Sequence, residues 1–169
     1  AIGEIGLDYH YKHSPKETQK TVLRSQLALA VSLQKPVVIH SREAESDLLE
    51  ILKEYASLTS LKDRPGVIHC FSGSYAFGQE CLRLGFYLSF SGILTFKNAD
   101  EIRTVAKDAP MDKILVETDS PFLAPMPHRG KTNQSSYIIE TVKKLSEIKN
   151  IPFEDAVQKT ADNATHLFK

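Results

Sequence analysis

Four side chains able to hold a divalent cation stand at or near the ends of short apolar runs: Glu4 in GEIGLD, His40 in VVIH, His69 in GVIHC and Asp119 just after KILVET. Asp8 and Glu117 lie close by in the sequence. Imidazoles mixed with carboxylates suit zinc, manganese or iron, whereas magnesium favours oxygen alone. Taken singly, each has a plainer reading. A histidine ending an apolar strand is often a hydrogen-bonded core or loop residue, and a strand glutamate is often half of an ion pair. Repetition shifts the balance. Uncompensated charge in an apolar setting costs on the order of several kcal/mol per ion, so four such groups at equivalent positions call for one shared compensator. A cation supplies it.

The elements that must position these groups alternate short apolar runs with longer amphipathic ones. The runs are Ile2–Leu7, PVVIH (36–40), GVIHCF (66–71), FYLSFSG (86–92) and KILVET (113–118). Ser14, Pro15 and Glu17 predict an N-cap, a first-turn proline and a capping-box acid for a helix whose apolar face is Leu23, Leu27, Ala30 and Val31. Further helices are predicted around Leu48–Tyr55, from Ala76 to Leu84, behind an Asn98/Glu101 cap, around Ile138–Leu145, and after Pro152. Near-continuous apolar strands separated by helices indicate a parallel α/β fold of five strands in a single domain over residues 1–169. Strand C-terminal ends then share one rim, where such folds place their chemistry. The loop from Pro121 to Ser136 is long for a strand-to-helix connection, which marks it as functional.

Composition narrows the partners. Lys plus Arg and Asp plus Glu both total 21, so the chain has no basic excess for bulk attraction to nucleic acid, although a phosphate held locally by metal ions stays open. Cys70 and Cys81 have no metal-type spacing and are expected as reduced thiols of a cytoplasmic protein, most simply two small core residues. No apolar stretch approaches the ~20 residues a membrane span requires.

The series GEIGLDYH, PVVIHSREA, GVIHCFSGS, YLSFSGILTFKNA and ILVETDSPFLAP, followed by HRGKTN, resembles the TatD family of metal-dependent DNases over essentially the whole chain. The resemblance implies a (β/α)8 TIM-type barrel and one or two divalent ions (Mg, Mn or Zn). It puts the bridging glutamate on Glu4, two histidine ligands on His40 and His69, and on Asp119 a ligand that also accepts the proton of the attacking water. It further implies hydrolysis of DNA phosphodiester bonds, in some members as a 3′→5′ exonuclease on single strands. Arg42 and Arg129 are candidate phosphate contacts, since a planar guanidinium fork matches phosphate, and Glu117 either faces the same rim or holds a neighbouring ligand.

Two departures qualify it. The family's H-x-H strand and two further βα units would precede GEIGLD, and a full barrel needs about 250 residues. The chain is therefore expected to hold the C-terminal five βα units of an incomplete barrel, completed by a second copy or by a complementing N-terminal segment. Without the H-x-H pair, one ion position is weakened and activity of the isolated chain is expected to be low or absent. Where the family continues with Glu-Pro-Ala after HRGKTN, this chain has Gln134, Ser135 and Ser136. Two other readings keep the same letters: an aminoacyl-tRNA ester deacylase using the same metal site, and a non-catalytic fragment that pairs with another chain.

Overall fold

The structure, a computed structural model, describes residues 1–11 and 13–169. Five parallel strands form one sheet in sequence order: β1 (Ile2–Asp8), β2 (Val37–Arg42), β3 (Gly66–Ile68), β4 (Tyr87–Phe90) and β5 (Ile114–Val116), with β1 and β5 at its edges. Parallel neighbours need crossovers, and helices provide them: α1 (Lys16–Leu33), α2 (Glu45–Leu58), α3 (Tyr75–Arg83), α4 (Asp100–Asp108), then α5 (Ile138–Lys149) and α6 (Phe153–Phe168) beyond β5. No helix among the described residues is long and apolar enough to cross a membrane.

Side chains alternate between the faces of a strand, and here each face has its own partner. Val37, Ile39, Ile68, Leu88, Phe90 and Ile114 enter the main core with Leu23 and Leu27 of α1, Leu48 and Leu52 of α2, Val105 of α4 and Leu145 of α5. The opposite face carries a smaller cluster of Val67, Tyr87 and Leu115 against Leu167 near the end of α6, with Val38 packed onto it. Arg64 ties this region down by donating to the His166 carbonyl of α6 and to the Lys169 carbonyl just beyond it, both at 3.0 Å.

Local signals at the helix starts differ from expectation. Ser14 does not cap α1: Pro15 holds the N-cap position with no side-chain cap, and the Ser14 carbonyl instead accepts from Gln19 Nε2. Glu17 pairs forward with Lys20 rather than back. Asn98 does not cap α4 either; Ala99 holds that position, and Glu101 accepts from the Tyr75 N–H at the start of α3. At α1 a neighbour one turn on took the capping-box acid, whereas at α4 Glu101 was taken by a partner 26 positions away. Ser74, unanticipated, caps α3 by accepting from Phe77 N–H. Both cysteines are free; Cys81 is a core residue, but Cys70 is not, for it faces the cavity described next.

Candidate metal centre

On the sheet face of the smaller cluster, the residue two positions beyond each cluster member is polar. Val38 is followed by His40, Val67 by His69, Tyr87 by Ser89, and Leu115 by Glu117. The strand repeat thus sets a polar tier on an apolar one, at the C-terminal rim. Glu4, Gly6 and Asp8 of β1 complete the tier, with Gly6 in register with His40. That pairing depends on glycine: a Cβ on Gly6 would lie 2.0 Å from the His40 carbonyl oxygen. Beyond the strands the chain leaves the sheet through residues with left-handed backbone, Glu43 (φ 54°), Cys70 (φ 45°) and Asp119 (φ 58°). Non-glycine residues in that region are a recurrent mark of functional sites.

Three ligand atoms converge. Glu4 Oε1 lies 2.8 Å from His69 Nε2 and 3.1 Å from His40 Nδ1, and the two imidazole nitrogens are 3.4 Å apart. The far nitrogen of each ring meets its own carboxylate: His40 Nε2 is 3.2 Å from Asp8 Oδ2, and His69 Nδ1 is 3.3 Å from Glu117 Oε1. A neutral imidazole held this way donates from the far nitrogen, leaving a lone pair on the near one. Two such lone pairs then face each other and a carboxylate oxygen. That arrangement lacks a positive charge. Atoms bound to one ion at about 2.0–2.2 Å in tetrahedral geometry lie roughly 3.2–3.6 Å apart, so a slight expansion of this triangle accommodates a zinc-like ion. The residues present fit the group.

Titration behaviour agrees. Burial opposes a charge on His69, yet the hydrogen bond and charge of Glu117, joined by Glu4, raise its pKa. Burial also works against the Glu117 carboxylate, but His69, Ser89 and the Cys70 backbone N–H bring its pKa below the usual range. Asp8 is likewise lowered: partial burial is outweighed by the Tyr11 and His10 N–H groups and by His40. Asp119 goes the other way, raised by burial and by the negative charges of Glu117 and Glu4.

Glu4, His40 and His69 form one potential ion-binding group, and His69, Glu117 and Asp119 form a second. Asp119 therefore joins the centre through His69 and Glu117 rather than beside Glu4 and His40. A cavity of about 760 Å³ opens over the centre, lined by Glu4, His40, His69 and Asp119 together with Arg42 and Tyr11. Arg42 lies 4.8 Å over the Tyr11 ring and donates to its hydroxyl. Arg129 does not line this cavity; its guanidinium stacks on Phe96 at 3.9 Å. Sequence reasoning named Asp8 only as a neighbour and did not single out Tyr11, Cys70 or Phe122 as cavity residues. The spacing of Glu4 and Asp8, same-face positions on one strand, was the available signal for Asp8.

A parallel α/β sheet with an oriented two-histidine, one-carboxylate cluster at its C-terminal rim defines the class of metal-centred proteins built on strand ends. Within that class the assignment is specific: the family model for TatD related DNase matches residues 1–169, and the chain belongs to that family. It is 46% identical over 169 residues to YabD of Bacillus subtilis, described as an uncharacterized metal-dependent hydrolase, covering 100% of this chain and 65% of that one. It is 36% identical over 174 residues to the human 3′-5′ RNA nuclease TATDN2, covering 99% of this chain and 22% of that protein. Among solved structures, the TatD homolog YJJV of Escherichia coli superposes with a TM-score of 0.90 at 32% identity, covering 99% of this chain and 63% of that one. The chain thus spans less than two thirds of the length of these relatives.

Proposed function

We propose that this centre hydrolyses phosphodiester bonds of DNA with one or two divalent ions held by Glu4, His40 and His69. The convergence of three ligand atoms within 3.4 Å of one another, each imidazole oriented by its own carboxylate, carries the reading. A bound divalent ion supplies polarisation of a phosphoryl oxygen and an acidified water. Asp119, its carboxyl raised in pKa and lining the same cavity, accepts the proton from the attacking water. Arg42 on the cavity wall holds a non-bridging phosphate oxygen through its planar fork. Arg129, outside that wall, engages a phosphate farther along the strand. Glu117 and Asp8 touch no substrate in this scheme and act by holding the imidazoles. The open edges of β1 and β5 are met by a second copy or a complementing segment, which light scattering of the chain alone and with such a segment would test.

The decisive experiment assays DNA, RNA and aminoacyl-ester hydrolysis side by side with manganese and with magnesium, for the wild type, His40→Ala and Asp119→Ala. RNA is included because one relative is an RNA nuclease. Weak DNA cleavage by the wild type, lost in both variants, is the expected result. Ester cleavage without any nuclease activity would replace this reading with the deacylase.

A further inference from the structure

The same cavity is also lined by the apolar side chains of Ile93, Leu123 and Phe122. Phe122 is 67% exposed and lines this cavity, so its ring is open to a ligand there. Its backbone, by contrast, is fastened. The Phe122 N–H donates to the Asp119 carbonyl at 2.9 Å, and its own carbonyl accepts from Asn133 Nδ2 at 2.6 Å. Asn133, only 4% exposed, also donates to the Thr118 carbonyl at 2.7 Å, and its N–H donates to the Pro121 carbonyl at 3.0 Å. On the far side, Thr95 Oγ1 accepts from Met126 N–H at 2.9 Å. The turn after β4 also comes so close that a Cβ on Gly92 would be 2.2 Å from the Leu123 carbonyl oxygen. Leu123 itself is held at φ 55°, a conformation a branched side chain disfavours. The loop thus holds an exposed aromatic ring at a fixed place three residues beyond Asp119.

Tyr11, the other exposed aromatic at the cavity, is a weaker candidate. Arg42 covers its ring and His13 stacks against it with centroids 5.7 Å apart, whereas no aromatic or cationic side chain packs on Phe122 among the described residues.

We propose that Phe122 is the specificity-determining platform of this centre: it stacks the nucleobase next to the scissile phosphate and so selects substrates whose base is out of the helical stack. The inference rests on the phosphodiester reading and deepens it. Phosphate contacts cannot distinguish a paired from an unpaired strand at one position, but a π-face beside the reacting group can, because only an unstacked base reaches it.

The test uses a short single-stranded oligodeoxynucleotide carrying 2-aminopurine at its 3′ end, titrated with the chain in calcium, and a matched strand with an abasic 3′ end. In the wild type, binding quenches the 2-aminopurine fluorescence, and the base-bearing strand is preferred over the abasic one by about 5- to 150-fold, the range for one base–aromatic stack. Phe122→Ala should lose the quenching and reduce that preference to below about twofold, while Phe122→Trp should keep both. With so exposed a side chain, neither variant should lose its fold, which near-unchanged thermal melts would verify. Equal quenching and equal preference in Phe122→Ala would overturn the platform while leaving the phosphodiester reading intact. Failure of both strands to bind would also overturn the platform, whereas the phosphodiester reading fails separately, on ester cleavage without nuclease activity.

Discussion

Replacing Asp8 with asparagine should damage ion binding more than removing its side chain. Asp8 Oδ1 is committed to two backbone donors, His10 N–H at 2.9 Å and Tyr11 N–H at 3.1 Å, while Oδ2 takes the His40 Nε2 proton. In Asp8→Asn the amide oxygen stays with the two backbone donors, which turns the NH₂ toward Nε2. Donor then faces donor, unless His40 moves its proton to Nδ1, the atom aimed at Glu4 and His69. Either way, binding an ion forfeits a charge-assisted hydrogen bond worth about 1.5–3 kcal/mol, or roughly 10- to 150-fold in affinity. The Asp8 side chain is 26% exposed, and partial solvation favours the lower half of that range, about 10- to 50-fold. Asp8→Ala opens room for a water that can accept from Nε2–H, so its loss should be smaller, although the turn it braces will melt earlier. Isothermal titration with manganese chloride on the three proteins decides the matter. Asparagine binding within twofold of wild type, or alanine proving the worse of the two, would refute the tautomer argument.

Other outcomes follow from the same geometry. Gly6→Ala places a methyl against the His40 carbonyl and should destabilise the fold by about 1–3 kcal/mol while weakening manganese binding; a thermal melt paired with a titration checks both. Asn133→Ala leaves the Thr118 and Phe122 carbonyls without their donor and should cost about 2 kcal/mol, seen as a lower Tm and faster proteolysis between Asp119 and Met126. The pKa of His69 is raised above 6.5, so ion-free protein draws stability from its protonation that is full below the unfolded value and is lost as pH rises through the folded one. An ion requires the neutral ring, so the Tm gap between manganese-loaded and EDTA-treated protein should widen from about pH 6 to about pH 8; a narrowing gap would contradict the role of His69.

Much of the site was legible in the chain because strand geometry is local. The two-residue repeat that put Val38, Val67 and Leu115 on one sheet face necessarily put His40, His69 and Glu117 on it too, one step nearer the rim. Apolar runs separated by amphipathic segments likewise determined five parallel strands before any coordinates. Tertiary packing decided the rest. The helix starts show it: Glu101, expected in a cap, instead accepts from the Tyr75 N–H 26 positions away. The division of labour within the acidic set was legible only in part: Glu4 was expected among the ligands and Glu117 either at the rim or holding one, but Asp8 behind His40 and the grouping of Asp119 with His69 and Glu117 came from the fold. Residue type and spacing select which side chains reach the rim. Which nitrogen of each ring faces inward depends on a carboxylate brought from 32 or 48 positions away, a distance only folding can close.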